Sequence, residues 1–414
     1  MHSADYLRLG LVSAAAFGLA VSTGAVACSD GATSQFAIGD GSDGGTTLFG
    51  EGGFGGGDGA VRPFVCVPDP KNAEVPGNNC DDDADGKVDN KVACDSGATG
   101  GSAEAFAKAI GLCDLASGSK GYGLVSATFT RGFGRSDPPQ AEQHGTLAKF
   151  GSAVKPREGT LLGVLSTGYA QEFNGGPGIP FGGESLGGAS NGKDWYNFGR
   201  YTPGAKSNGA VPPGFPKPAG GCDQAPTTND VIDLKLVVKA PPNVSGIKFD
   251  FNFYSGEWPA YICSPFNDGF IAYLSSKGFN GGIADNISFD AKKNPVSVNN
   301  GFFDRCTPNV DIGCAPGAKS GTSQCPGGTG ELLGTGYGID GAWCAPYGTG
   351  NKRSVNGGAT GWLTSTAPVT PGETFTIEFL IWDTGDAVLD SSVLIDNFSW
   401  ATGVVTNETV RPPL

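Results

Sequence analysis

The feature that most constrains this chain is an alternation of apolar and polar side chains with a period of two. In one segment Ile247, Phe249, Phe251 and Phe253 alternate with Lys248, Asp250, Asn252 and Tyr254. A second segment, 374–381, alternates in the same way through Phe375, Ile377, Phe379 and Ile381. Because successive side chains of a β-strand point to opposite faces, each segment predicts a strand with one face for a core. Further strands are predicted at 123–130, 160–166, 233–240, 269–275 and 391–400.

Helical periodicity is confined to one stretch, 103–113, where Phe106, Ile110 and Cys113 share a face, and this short helix is predicted to end near Gly111. Many short strands between Gly, Pro and Asn turns predict an all-β fold, an antiparallel two-sheet sandwich of jelly-roll type. The chain holds 70 Gly in 414 residues without the three-residue period of collagen, so the excess belongs to loops and linkers. Long Gly/Pro-rich loops are therefore expected within the sandwich, as at 174–191 and 203–221.

The first 27 residues predict a secretory signal peptide. Arg8 precedes an apolar run from Leu9 to Ala20, and small residues stand just before Cys28. This arrangement resembles a bacterial lipobox, with Ala25 where Leu is usual, and the resemblance implies acylation of Cys28 and stable membrane anchoring. The alternative is an ordinary signal peptide followed by an incidental cysteine. Residues 31–60 contain twelve Gly and no Lys or Arg, so 28–65 is predicted to be a flexible, disordered tether.

Cysteine usage indicates an oxidising compartment. Ten of the eleven Cys follow Cys28, and this even number favours up to five disulfides whose pairing the sequence leaves open. The cysteines beyond residue 28 are Cys66, Cys80, Cys94, Cys113, Cys222, Cys263, Cys306, Cys314, Cys325 and Cys344. The last four lack Cys-x-x-Cys spacing, which favours disulfides over zinc. Cys222 and Cys263 are expected to pair with each other or with that group.

Charge and histidine content exclude several functions. The formal net charge is −14, and a polyanion does not bind phosphate backbones, so no nucleic-acid partner is expected. Only two His are present, and His2 lies in the signal peptide. A multi-His metal site therefore cannot form, and a Ser-His-Asp triad would depend on His144 alone.

An acidic stretch, 81–90, has the spacing of a calcium loop. Asp81, Asp83, Asp85 and Asp89 occupy loop positions 1, 3, 5 and 9, with Gly86 at the tight turn and the Lys87 carbonyl as a backbone ligand. Position 12 is Val92 rather than Glu, which favours a shorter loop, like those of thrombospondin type 3 repeats, over an EF-hand. The alternative is a solvated acidic turn held by disulfides. Together with Glu74–Asn78 the stretch also resembles a short acidic metal-binding motif of bacterial surface proteins.

Several segments of the second half resemble the choice-of-anchor L domain. They are Ser-Gly-Glu-Trp-Pro-Ala-Tyr at 255–261, Phe-Asn-Asp-Gly-Phe at 266–270, Asn-Pro-Val-Ser-Val-Asn-Asn at 294–300 and the stretch 366–400. The resemblance spans about residues 230–400 and implies a bacterial surface or secreted domain that is joined to an anchoring device. Where this family has two adjacent acids before Tyr-Pro, the chain has only Glu257 before Trp258-Pro259.

Acidic and amide residues also gather at predicted strand ends, and they predict a second Ca²⁺ site. They are Glu257, Asn267, Asp268, Asp383, Asp386 and Asp390. Local turn chemistry is the alternative, since Asp and Asn bond their own backbone in turns. A glycosidase would require two carboxylates at catalytic separation, for which Glu257 and Asp386 are the candidates. Trp195, Tyr196 and Tyr201 form an aromatic group that predicts either a ligand platform or core packing.

These patterns divide the chain into a signal peptide (1–27), an acylated tether (28–65), a calcium-loop motif (66–95), a sandwich (96–402) and a tail (403–414). The predicted function is a lipid-anchored, calcium-stabilised protein of the cell envelope, at the outer membrane or cell surface. It binds or displays without catalysis, with a polysaccharide or another surface protein as partner. The alternatives are a hydrolase that acts on glycans and a purely structural envelope component.

Overall fold

The computed structural model describes residues 66–170, 200–201, 211–219, 221–337, 339–341, 344, 354–385 and 389–412. The predictions for residues 1–65, including the signal peptide, Cys28 and the tether, lie outside these ranges, as do Trp195, Tyr196 and Asp386. The helix and strands are α1 (Ala103–Ala109), β1 (Gly123–Thr130), β2 (His144–Leu147), β3 (Leu162–Ser166), β4 (Arg200–Tyr201), β5 (Thr228–Lys239), β6 (Gly246–Ser255), β7 (Gly269–Ser275), β8 (Asp285–Asn286), β9 (Asp311–Ile312), β10 (Gly321–Thr322), β11 (Ile339–Gly341), β12 (Ser354–Asn356), β13 (Gly358–Ala359), β14 (Leu363–Pro368), β15 (Thr374–Thr384), β16 (Ser391–Ala401) and β17 (Glu408–Val410).

Two antiparallel sheets pack together, as the sequence predicts. Within the described residues, sheet one has the order β1-β5-β15-β7-β8, with β4 beside β5. Sheet two has the order β17-β14-β6-β16-β3-β2, with β13 beside β6. Two small ladders, β9 with β10 and β11 with β12, lie outside the sheets. The predicted all-β sandwich is confirmed.

The alternating segments supply the core between the sheets. Phe249 of β6 meets Phe379 of β15 edge to face, with ring centroids 5.0 Å apart. Phe251 lies 5.1 Å from Phe270 of β7 in the same layer. All four rings are fully buried, so the apolar faces predicted from the period of two are those that meet.

Element boundaries follow the sequence closely, with one informative exception. Strands β1 and β7 coincide with the predicted ranges, whereas β5 begins at Thr228 instead of residue 233. Helix α1 begins after Ser102, whose hydroxyl accepts from the Ala105 N–H, and it ends at Ala109, close to Gly111, where the sequence predicts its end. Gly111 has a φ of +95° there, which a helix cannot continue through.

The ten cysteines beyond Cys28 all pair, which confirms the disulfide prediction. The pairs are Cys66–Cys80, Cys94–Cys113, Cys222–Cys263, Cys306–Cys325 and Cys314–Cys344. Cys222 thus pairs with Cys263, one of the two outcomes that the sequence leaves open. The last four cysteines form two disulfides rather than a zinc site, as their spacing favours.

Strand ends from both sheets meet at one end of the sandwich. In sheet one, the end of β15 pairs with the start of β5 (Thr384 with Thr228) and with the start of β7 (Trp382 with Gly269). In sheet two, the start of β16 pairs with the end of β6 and of β3. The Ser391 hydroxyl of β16 donates to the carboxylate of Asp268, just before β7, at 2.6 Å. This hydrogen bond shows that the two sets of strand ends are in contact.

Candidate metal-binding sites

The acidic loop, which we define as residues 74–90, is a series of tight turns rather than a helix or strand. Gly77 and Gly86 both have a φ of +89°, and Asn79, Ala84 and Asp89 also adopt positive φ. The disulfide Cys66–Cys80 joins this loop to the segment before it. Turns of this kind allow acidic side chains that are close in sequence to approach each other, as they do in loops that bind cations.

The predicted ligands of this loop divide into two groups. Asp89 accepts hydrogen bonds from the backbone N–H groups of residues 77, 78 and 79 at 2.7 to 3.2 Å. Asp85 accepts from the Lys87 N–H at 2.9 Å and from the Asn90 side-chain amide at 2.8 Å, and the Asn90 bond is the main cause of its lowered pKa. These two carboxylates therefore hold the fold of the loop. Lys87 is exposed at the turn.

Three other carboxylates converge. Glu74, Asp81 and Asp83 each bring one oxygen within 4.8 Å of the others. Asp81 also accepts from the N–H groups of Asp85 and Gly86, both at 3.0 Å, which fixes its position. Glu74 is absent from the ligand set predicted from the loop register, because it lies seven residues before loop position 1.

Unpartnered oxygens mark the same place. Glu74 Oε1, Asp83 Oδ1 and Asn90 Oδ1 are shielded from solvent and have no hydrogen-bond partner. All three residues line one cavity of about 280 Å³. Burial, followed by the charge of Asp82, raises the pKa of Glu74. Lys120 Nζ lies 3.4 Å from the other oxygen of Asp83, so one side of that carboxylate is already paired.

The acidic loop is attached firmly to the sandwich. Asn243 exchanges two hydrogen bonds with the backbone of Ala73, at 3.0 and 2.9 Å. Lys91 donates to the Phe398 carbonyl at 2.6 Å and lies 3.5 Å from Glu158. Ala73 and Val75 belong to the main hydrophobic core. The loop is therefore fixed to the sandwich at both of its ends, although the predicted boundary at residue 95 stays a prediction.

A second group of acids lies at the end of the sandwich where the strand ends meet. We call Asp230, Asp268, Asp383 and Asp390 the buried carboxylate cluster; their exposed fractions are 0, 1, 0 and 2 %. Asp268 accepts from the Thr384 N–H at 3.1 Å as well as from the Ser391 hydroxyl. Gly168 permits the close approach of Asp390, because a Cβ at that position would overlap Asp390 Oδ2.

Asp383 has the least satisfied side chain of this cluster. Neither of its carboxylate oxygens has a hydrogen-bond partner, although the residue is fully buried. Burial raises the pKa of Asp383 well above its usual range. The charges of Asp268, Asp230 and Asp390 raise this pKa further, and the nearby Thr167 hydroxyl lowers it in part.

A β-bulge brings Asp230 into the cluster. Between β5 and β15 the register shifts so that Ile381 pairs with Ile232 but Asp383 pairs with Asn229. Asp230 lies in this bulge with a φ of +50°, a left-handed conformation that redirects its side chain. The sequence pattern missed Asp230 because it predicts β5 from residue 233 onward, which leaves Asp230 in a turn.

The other predicted site residues have separate outcomes. Glu257 and Asn267 lie beside the cluster and are 2 and 4 % exposed, and Glu257 accepts from the Asp268 N–H at 3.3 Å. Tyr201 lies in β4 opposite Thr228, while the rest of the predicted aromatic platform lies outside the described residues. His144 stacks on Phe129 with ring centroids 3.9 Å apart, and burial lowers its pKa to about 4.

The sequence segments that carry Asp268, Asp383 and Asp390 are also among those that identify a family. The model of the choice-of-anchor L domain matches residues 231–401, from β5 to the end of β16. No curated protein and no solved structure matches the chain. Among the described residues, no helix has the length and apolar character needed to cross a membrane. Residues 231–401 therefore constitute a choice-of-anchor L domain, the domain of a surface-associated protein.

Proposed function

We propose that this chain is a lipid-anchored protein of the cell surface whose sandwich binds or displays without catalysis and whose acidic loop holds a Ca²⁺ ion. The observation that carries the calcium assignment is the group of unpartnered oxygens of Glu74, Asp83 and Asn90 in one cavity. A buried polar atom without a partner costs on the order of 1–3 kcal/mol. A cation that these oxygens coordinate removes that cost.

The donor set favours calcium. Carboxylate and amide oxygens are hard ligands, and Ca²⁺ accepts six to eight of them in flexible geometry, whereas Mg²⁺ demands a regular octahedron. Glu74, Asp81 and Asp83 converge within 4.8 Å, and Asn90 contributes a neutral oxygen to the same cavity. The ion would also neutralise repulsion among carboxylates in a segment that carries few bases.

Two features support the proposed lipid anchor, namely the segment before Cys28 and the choice-of-anchor L domain. Cys28 stands directly after a signal-like segment, and a Gly-rich stretch separates it from Cys66, the first described residue. Acylation of Cys28 would place more than one lipid chain in a membrane, which gives stable attachment. The choice-of-anchor L domain, itself surface-associated, would then extend from the envelope.

Burial of the candidate acid supports a non-catalytic role. Glu257 is 2 % exposed and its carboxylate accepts the Asp268 N–H. A glycosidase acid must reach the oxygen of a bound substrate, and Glu257 is enclosed at the end of the sandwich. The ligand expected for the domain is a polysaccharide or another protein of the envelope.

The calcium assignment is tested by thermal unfolding of the mature chain in detergent, with either Ca²⁺ or EGTA. The matched variants are Asp81→Asn with Asp83→Asn, which removes two ligands, and Asp69→Asn, which removes an exposed acid from the same segment. We expect Ca²⁺ to raise the Tm of the wild type and of Asp69→Asn, and the shift to shrink in the double variant. An identical shift in all three proteins would overturn the assignment.

The binding role is tested with immobilised envelope polysaccharides and chromogenic glycosides. Retention without turnover supports the proposal. Turnover that Glu257→Gln abolishes would instead show a hydrolase.

Loss of membrane attachment in Cys28→Ala, measured by cell fractionation, checks the anchor, and unchanged attachment would contradict it.

A further inference from the structure

The buried carboxylate cluster carries an inference that is independent of the acidic loop. Its four acids come from residues 230 to 390, and both sheets contribute to it through their strand ends. Every member is at least 98 % buried. Ionised carboxylates in such surroundings repel each other strongly, because little water screens their charges.

Asp383 supplies a second observation that points to a ligand. It is fully buried, and both of its oxygens lack a hydrogen-bond partner. Nearly all buried polar atoms in folded proteins are satisfied, so a fully buried carboxylate with two unsatisfied oxygens indicates a group that occupies the space between them.

Neutral oxygens accompany the carboxylates. Asn267 Oδ1, next to Asp268, is buried without a partner, and so is Thr228 Oγ1, whose residue pairs with Thr384 beside Asp383. In the described part of the chain no three carboxylates of the cluster bring one oxygen each within 4.8 Å. An ion would therefore be held by fewer carboxylates, with neutral oxygens completing its shell, which suits the flexible coordination of Ca²⁺.

The backbone at this place is strained in a way that serves the arrangement. Asp230 has a φ of +50° in its bulge, and Leu389, directly before Asp390, has a φ of +74°. Non-glycine residues adopt this region at a cost, and such residues concentrate at functional sites. Both strained positions lie at, or directly before, a carboxylate of the cluster.

We propose that the buried carboxylate cluster, centred on Asp383, is a second Ca²⁺ site that ties the strand ends of the two sheets together. Asp383 is the central ligand, with Asp268, Asp230 and Asp390 as neighbouring carboxylates and Asn267 and Thr228 as neutral donors. All of these residues except Thr228 and Asp230, which directly precede it, lie in the choice-of-anchor L domain, whereas the acidic loop lies outside it. It is therefore expected to bind Ca²⁺ whether or not the acidic loop does.

The test counts Ca²⁺ ions bound per chain by isothermal titration calorimetry on the full mature chain in detergent. We expect two ions in the wild type, one in Asp81→Asn with Asp83→Asn, one in Asp383→Asn, and none when the three substitutions are combined. The matched control is Asp396→Asn, which changes another fully buried Asp on β16 whose oxygens accept backbone hydrogen bonds. This control is expected to keep both ions.

The outcomes distinguish the two sites. If Asp383→Asn binds as many ions as the wild type, or if the acidic-loop variant binds none, the second site is overturned. If the acidic-loop variant binds as many as the wild type while Asp383→Asn loses one, only the acidic-loop assignment fails.

A second variant keeps the test valid if Asp383→Asn does not fold. Trp382 lies directly before Asp383 and is 1 % exposed, so it is expected to sensitise Tb³⁺ luminescence at this site. In the acidic-loop variant, Trp382→Phe should remove most of the sensitised emission without removing the ion. Unchanged emission would place the ion elsewhere and overturn the proposal.

Discussion

The acidic loop and the buried carboxylate cluster gather the same chemical groups by opposite routes. The loop collects its oxygens from 17 consecutive residues, and Glu74, Asp83 and Asn90 among them line one side of a cavity of about 280 Å³. The cluster collects its acids from strand ends up to 160 residues apart, and it is almost closed to solvent. The loop can be recognised from local spacing, whereas the cluster exists only once both sheets have formed.

The difference also separates two kinds of stabilisation. An ion in the loop would stabilise turns that are already fixed by Asp85, Asp89 and a disulfide. An ion in the cluster would stabilise contact between the sheets themselves. The first of the following predictions changes an acid outside both regions, and each of the others changes one region and leaves the other as its reference.

The largest effect is expected when pH is varied, at a buried acid that, unlike Asp383, has hydrogen-bond partners. Burial raises the pKa of Asp396 to about 7 although three backbone N–H groups donate to it. The folded state then binds more protons than the unfolded state between pH 4 and 7, so stability falls as pH rises through that range. The difference in unfolding free energy between the wild type and Asp396→Asn should change by about 4 kcal/mol over this range. Urea unfolding at a series of pH values measures it, and parallel profiles would contradict it.

A smaller loss is expected when the disulfide at the base of the acidic loop is removed. Cys94–Cys113 closes a separation of 19 residues, and such a bridge contributes about 3 kcal/mol. Cys94→Ser with Cys113→Ser should lower the unfolding free energy by that amount and weaken Ca²⁺ binding at the loop. The Ca²⁺ binding that remains in the acidic-loop variant, Asp81→Asn with Asp83→Asn, is due to the cluster. Removal of the disulfide should not change that remaining binding. Weaker Ca²⁺ binding at the cluster alone would contradict this prediction.

The cluster has its own selective change in Gly168→Ala. The added Cβ would overlap Asp390 Oδ2, and overpacking of this kind costs about 1–3 kcal/mol. We expect weaker Ca²⁺ binding at the cluster and unchanged binding at the loop, measured by calorimetry. Gly301→Ala is the matched control, because a Cβ there meets nothing within 4 Å. Equal effects of the two substitutions would argue against close packing around Asp390.

The smallest effect is expected at Lys120, and it has the opposite sign. Lys120 Nζ lies 3.4 Å from Asp83 and competes with an ion for that carboxylate. Because the pair is partly exposed, its contribution is about 1 kcal/mol or less. Lys120→Met should therefore tighten Ca²⁺ binding at the loop a few-fold, whereas Lys71→Met should not. Weaker binding in Lys120→Met would contradict this role.

Much of the fold could be predicted because the signals are local. The period of two in β6 and β15 determines which faces meet, and Phe249 and Phe379 are in contact as a result. The end of α1 near Gly111 could also be predicted, because a glycine ends a helical pattern locally, and Gly111 adopts a positive φ there. The disulfide pairing could not be predicted, because it depends on three-dimensional proximity.

The sites were predicted in part for the same reason. Asp81 and Asp83 follow from loop spacing, but Glu74 joins them only through a turn that folds back, and Asp85 and Asp89 turn out to bond the loop itself. At the cluster, Asp268, Asp383 and Asp390 were identified from strand ends. Asp230 could not be, because a bulge in β5 directs it there.

The two proposed Ca²⁺ sites are tested most directly by a crystal structure of the mature chain grown with Ca²⁺, with an anomalous difference map to locate the ions. We predict one peak among Glu74, Asp81 and Asp83 and a second peak beside Asp383. A map without a peak at either place, from crystals that contain Ca²⁺ at saturating concentration, would contradict it.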